Sequence, residues 1–319
     1  MGIVTLMRDT DYAYAVGRIR SNENRLLTNQ DFEGLLLSES CERCAARLAD
    51  KGWEAQTNES DMIKCELNKL WALIDEVAPD SAAFNYFKIP NDYHNLKAAL
   101  KALLAQAEWE HLCLYPVTVS IDTIKEAVEK KSFNLLPEHM TATAEEAYDA
   151  LVSWVDGQRC EMIIDAASFS AAITEAKKQG GLMLEIAELN AYRADVRVAV
   201  RCARMKKPRS FILPALAECD TITPQGLAEA AAQSEEAICD YIAQSDKEAA
   251  DALRISLSDF EQLCAKRLEK RLETVKYEPL GQAPLISYIC ARMEEIRKVR
   301  IIFAGLRNNL SPEDIRELL

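Results

Sequence analysis

Cys41 and Cys44 stand at Cys-x-x-Cys spacing. Two thiolates so placed supply half of a tetrahedral zinc site, or a redox pair. The other half is missing, because no second Cys-x-x-Cys and no histidine pair follows at finger spacing. A redox pair belongs at a strand–helix junction, whereas residues 39–51 read as one amphipathic helix. Core-packed thiols are the expected outcome. His94, His111 and His139 are isolated, and none sits in His-Glu-x-x-His, so they read as structural or solvated. The pairs Glu145-Glu146, Glu235-Glu236 and Glu294-Glu295 do not converge on one ion, since adjacent helical residues point about 100° apart. Gly180-Gly181 lacks the Lys-Ser/Thr of a phosphate-cradling loop, and no Gly-x-Ser-x-Gly elbow is present. No catalytic, cofactor-binding or metal-ligating residue is expected.

Arginine provides the one patterned charge. Arg193, Arg197, Arg201 and Arg204 recur at helical spacing, with Asp195 off that line. Like charges on one helix face repel unless partnered. Pairing within the chain, with the acidic stretches around 229–261, is one reading. A docking surface for an acidic partner helix is the other. The stripe is too local for nucleic acid, because the chain of 319 residues carries a net charge of −13 and lacks a cationic footprint.

The elements that position these residues read as helices. Only 10 glycines and 10 prolines leave too few turns for a sandwich or barrel. Segments 92–108, 185–205 and 285–306 repeat apolar residues at a period near 3.6, and 12–26 is a shorter version. Further helices are expected over 145–155, 168–178, 225–244, 248–253 and 257–275. The ten cysteines are scattered, and Arg8, Asp9 and Asp11 interrupt any secretory apolar run, so reduced thiols in a cytosolic chain are expected. No uncharged apolar run approaches the roughly 20 residues of a membrane helix.

A longer-range repetition runs through these helices. Each long helix leads into a Ser/Thr-capped second helix, at Thr28, Thr123, Thr223 and Ser311. The order Ser/Thr-x-x-acid of a capping box holds at Thr28/Asp31, Thr123/Glu126 and Ser311/Asp314. It fails at Thr223, where Gly226 takes the acidic place. Three intervals between four junctions divide the chain into three similar helical domains, 1–115, 116–218 and 219–319, with the last closing back toward the first. The fold class is all-α.

Specific residues carry a family resemblance. Tyr93-His94-Asn95-Leu96-Lys97 resembles the Asp/Tyr-x-His-Asn-Leu-Lys signature of the C subunit of bacterial and archaeal V/A-type rotary ATPases, whose eukaryotic relatives are the d subunits of vacuolar ATPases. Residues 12–20 followed by Arg25-Leu26-Leu27-Thr28 resemble that family's opening. Residues 294–302 with Leu310-Ser311-Pro312-Glu313-Asp314-Ile315-Arg316 resemble its closing motif. The stretch 134–181 departs from the family pattern.

The resemblance implies three helical domains around a pseudo-threefold axis, forming a funnel or socket. It implies a non-catalytic central-stalk protein without cofactor, peripheral on the cytoplasmic face of the membrane. The socket would link the axle subunits D and F to the membrane rotor ring, and transmit torque for ion transport coupled to ATP hydrolysis or synthesis. Within that picture, Lys97, Lys101, Arg193, Arg197, Arg201 and Arg300 are the residues expected to face partners. A helical scaffold of another assembly fits the repeat but not the ordered motifs. An all-α enzyme would show stabilisation by a small molecule.

Overall fold

The computed structural model describes residues 8–153 and 155–319. Residues 1–7, where the sequence predicts no secretory segment, lie outside the described residues, as does Trp154 of the predicted helix 145–155. The described residues are helical, with no strand among them. In order they form α1 (Ala13–Glu23), α2 (Asn29–Leu36), α3 (Cys41–Asp50), α4 (Glu59–Val77), α5 (Ile89–Ala105) and α6 (Ile121–Glu129). Next come α7 (Glu138–Val152), α8 (Gly157–Gln179), α9 (Gly181–Arg204), α10 (Arg209–Ile212) and α11 (Pro224–Gln233). The chain ends with α12 (Glu235–Ala243), α13 (Lys247–Ile255), α14 (Leu257–Val275), α15 (Ala283–Arg307) and α16 (Pro312–Leu318). No helix among the described residues is long and apolar enough to cross a membrane.

Side-chain caps set most of the starts. Thr28, Ser40, Asn58, Ser120, Thr223, Ser234 and Ser311 each accept the backbone N–H three residues on, as helix entry requires. The expected boxes form at Thr28/Asp31 and Ser311/Asp314. The box expected at Thr123 does not: Ser120 is the cap and Thr123 lies inside α6, donating its N–H to Ser120 Oγ at 3.1 Å. The predicted helix 225–244 is two helices, because Ser234 turns extended and caps α12. At Thr223, Tyr241 of α12 replaces the missing acid. Its hydroxyl accepts the Thr223 N–H at 3.0 Å. Gly226 makes room, since a Cβ there would stand 2.6 Å from the Tyr241 ring.

Packing divides the chain into two compact units, 1–81 with 274–319, and 82–273. The three expected segments cut across these units. In the first unit α15 packs on α1 and α4, and its apolar face shares a core with α2 to α4 through Phe32, Leu36, Leu48, Met62, Val299 and Phe303. Gly305 lets the C-terminal helix seat against α15, because a Cβ there would overlap the Ile315 side chain. Polar residues also penetrate this core. Arg292 of α15, stacked over the Trp53 ring at 5.1 Å, bridges two carboxylates that are all but sealed from water, Glu66 and Glu295.

In the second unit α5 packs on α6, α7 and α8, and α9 packs on α8, α11 and α12. The joint between α8 and α9 is Gly180-Gly181, with φ of +67° and +50°. Side chains disfavour those values, so the glycines let two long helices fold back on each other across one residue. A core of Tyr192, Val196, Leu227, Ile238, Leu253 and Phe260 closes α9 against α11 to α14.

Two substitutions test these contacts. Gly305→Ala will lower stability by about 1–3 kcal/mol through overpacking, and will expose α16 in hydrogen exchange while α15 stays protected. Arg292→Leu leaves the buried Glu295 without a cation and Glu66 with Lys69 alone, and will cost roughly 3–5 kcal/mol in chemical denaturation. Adding Glu66→Gln and Glu295→Gln will recover much of that loss.

Candidate docking surface

The residues with the most distinctive spacing, 91–95, lie on α5 and hold the connector 112–119. Asp92 is fully buried and accepts the N–H of Thr118 at 2.9 Å, the N–H of Val119 at 3.2 Å and the Thr118 hydroxyl at 2.5 Å. Asn95, equally buried, exchanges two bonds with Leu114: its amide donates to the carbonyl at 3.0 Å, and its oxygen accepts the N–H at 2.8 Å. Asn91 donates to the Pro116 carbonyl at 2.8 Å. Tyr93 donates its hydroxyl to the His139 carbonyl of α7, also at 2.8 Å. These residues therefore bond backbone of the chain itself. Burial raises the Asp92 carboxyl, with the Thr118 and Val119 donors pulling it back. Burial lowers His139.

The other two long helices carry the same device. On α9, Asp195 accepts the Ala217 N–H at 3.0 Å, in the connector before α11. On α15, Glu295 accepts the Leu27 N–H at 3.1 Å, in the connector before α2. Burial pushes Asp195 up to about 7, because among the described residues Ala217 is its one donor and Oδ2 is buried without a partner. Glu295 is also raised by burial, with Arg292 the leading opposing influence. Asp92 borders the motif 93–97 and Glu295 lies within the closing stretch 294–302, whereas Asp195 belongs to no motif. Their signal in the sequence is an acid in line with the buried face of each long helix, recurring about every hundred residues.

The residues expected to face partners divide by pairing. Lys97 and Lys101 of α5 join Asp165 and Glu161 of α8, the first pair at 2.5 Å. Arg197 joins Glu261 of α14 at 2.6 Å, and the neighbouring Arg204 joins Glu235 of α12 at 3.0 Å. Pairing with the acidic stretch 229–261 thus holds for two of the four stripe arginines. Arg193, Arg201 and Arg300 make no hydrogen bond or ion pair among the described residues. Arg193 and Arg201 belong with Lys97, Lys101 and Arg197 to the unit 82–273, and Arg300 to the other unit. Beside Arg193 lies a cleft of about 220 Å³ with Tyr86, Phe169, Ala172 and Ala194 among its walls.

The Cys-x-x-Cys pair sits in the first turn of α3. Burial, helped by the Glu59 carboxylate, pushes Cys41 up to about 11, and burial takes Cys44 to about 12. Neither thiol is poised as a thiolate, which is what nucleophilic or metal chemistry needs.

Comparison with known proteins agrees with these motifs. The profile described as ATP synthase (C/AC39) subunit matches residues 15–318. The C subunit of a V-type sodium ATPase from Enterococcus hirae is 20% identical, over 94% of this chain and 95% of its own. The C subunit of an A-type ATP synthase from Thermococcus gammatolerans is 22% identical, over 97% of this chain and 90% of its own. That of Methanocaldococcus jannaschii is 24% identical, over 97% and 86%.

The Asp195 clamp makes a pH-dependent prediction. Its carboxyl rises from an ordinary 3.8 to about 7 on folding, so the native state holds a proton that the unfolded chain releases. Stability contributed by this group is complete below the lower value and falls as pH rises toward the upper one, by up to roughly 4 kcal/mol. Asp195→Asn keeps an acceptor for Ala217 and cannot titrate. Thermal denaturation across this range will show a shallower decline for the variant than for the wild type.

Proposed function

The chain belongs to the ATP synthase (C/AC39) subunit family, and from that premise we propose that it is a non-catalytic rotor subunit. It links the axle subunits D and F to the membrane rotor ring and transmits torque between them. ATP chemistry falls to other subunits. The chain is attached at the cytoplasmic face through the ring, and three similar helical domains form the socket.

The observation that carries this reading is the repeated clamp. In each of the segments 1–115, 116–218 and 219–319 one of the long helices, namely α5, α9 or α15, carries a clamp. Each spends a buried carboxylate on the backbone of the connector that precedes a Ser/Thr-capped helix. Such repetition is what three copies of one supersecondary unit produce. A body that passes torque must not yield at its connectors, and fixing them with buried hydrogen bonds from carboxyl groups in a close-packed interior gives that resistance. The relatives' names place them in a sodium ATPase and in ATP synthases, and this chain is proposed to serve the same type of complex. Lys97, Lys101, Arg193, Arg197, Arg201 and Arg300 are proposed to lie toward partners, the paired ones fixing register and the unpaired ones meeting partner carboxylates.

Tagged protein purified from gently solubilised membranes of its source cells tests the proposal. Mass spectrometry will find axle, ring and catalytic-head subunits in constant ratio with it. Recovery of an abundant chain without them, from cells whose rotary complex is intact, overturns the assignment.

A further inference from the structure

We propose that the arginine-bearing face of α9, half-buried at Arg193 and Arg197 and exposed at Arg201 and Arg204, docks an acidic amphipathic helix of about three turns from a partner chain. This deepens the rotor reading and depends on it for the identity of the partner, not for the chemistry. The first observation is unused positive charge in a chain of net charge −13. Arg193 and Arg201 on α9, and Lys206 and Arg209 just beyond its end, make no ion pair or hydrogen bond among the described residues. From 201 to 209 the sequence holds five basic residues and no acid. Arg204 is the one of these paired to a carboxylate, and Lys207 lies over the Phe211 ring at 4.3 Å.

The second observation is the cleft beside Arg193. At about 220 Å³ it falls short of the several hundred Å³ typical of small-molecule sites. Its walls are largely apolar, with the Arg193 and Arg197 guanidinium groups among them. That combination suits one apolar side chain whose own helix carries a neighbouring carboxylate.

The third is what α9 already accepts. Arg197 meets Glu261 of α14 and Arg204 meets Glu235 of α12, so glutamates on neighbouring helices of the chain itself engage this row of arginines. An incoming acidic helix extends the same pairing to Arg193 and Arg201. From Arg193 to Arg204 is about 17 Å along the axis, roughly three turns. An anionic lipid surface would share the local attraction. It would also meet the rest of a strongly acidic molecule within a Debye length of about 8 Å, whereas a single helix meets this face alone.

The test uses the full chain and two probes. One is a synthetic three-turn helical peptide with Glu and Leu at helical spacing, and the other is the D–F axle complex of the source organism. Arg193→Glu with Arg201→Glu will weaken peptide binding about tenfold or more at low salt and flatten its salt dependence. Ala194→Phe, which fills the cleft, will weaken binding about tenfold and leave the salt dependence unchanged. Lys125→Glu on α6 is the charge control and will bind as the wild type does. Circular dichroism checks that each variant is folded. Peptide binding that is absent, or indifferent to both α9 variants, overturns the docking proposal even if the axle binds. Binding of the wild type to phosphatidylglycerol vesicles in place of the peptide, lost in the arginine variant, overturns it in favour of a lipid surface. Peptide binding with the expected losses, but no binding of the axle, upholds the docking surface and counts against the rotor reading.

Discussion

A carboxylate taken out of water costs several kcal/mol unless donors or a cation meet it, and each of the three connector clamps in this chain is built on one. Asp92, Asp195 and Glu295 sit on α5, α9 and α15, where the surrounding face is apolar, and each points at backbone from another part of the sequence. The compensation is graded. Asp92 has two N–H donors and a hydroxyl, and Glu295 has an N–H and the Arg292 guanidinium. Asp195 has a single N–H, and its carboxyl is accordingly lifted to about 7. The connectors they hold would otherwise be surface loops with few contacts. Tied at backbone level, they fix where α6, α11 and α2 begin.

Those helix starts then depend on local chemistry that varies while the outcome does not. Asp31 and Asp314 complete capping boxes. At α11 the acid is absent, and a tyrosine hydroxyl from the next helix reaches the same backbone N–H because Gly226 leaves the ring room. At α6 a serine three residues upstream takes the cap. In each case an orphan N–H at a helix entrance has a partner, which is the physical requirement; the residue that supplies it is free to differ.

The long helices are legible in the sequence because their apolar period is carried by local residues, and a 3.6-residue repeat survives small errors of boundary. The motif 93–97 is legible as a family feature, but its role is not. Asn95 reaches Leu114 and Tyr93 reaches His139 only once the chain has folded. The same limit applies to the cations. Lys97 and Asp165 lie far apart in sequence, as do Arg197 and Glu261, so no spacing rule says which cations are consumed. Helix α4 is hidden from the sequence although Met62, Leu70, Trp71, Ile74 and Val77 are buried along it. Interspersed charges such as Lys64, Glu66 and Lys69 blur its period, and two of them belong to the Arg292 network. The thiol pair is legible as core because a helical setting leaves Cys44 sealed and Cys41 beside an acid, which disfavours both thiolates.

The distribution of buried polar groups fits the mechanical role proposed for this chain. In an enzyme, titratable side chains with displaced protonation converge on a cleft where a substrate can reach them. Here Asp92, Asp195, Glu66 and Glu295 are withdrawn from solvent and turned toward main-chain amides or Arg292. The cleft beside Arg193, by contrast, presents permanently charged guanidinium groups and apolar walls, which recognise but do not transfer protons. Polar residues are thus divided between holding the backbone and meeting a neighbour. A long acidic chain that keeps a few cations unpaired on one helix favours an acidic neighbour there and repels most other surfaces. Selectivity of that kind comes from charge placement on a rigid face, and the Asp195 clamp ties the connector before α11 to the helix that bears it.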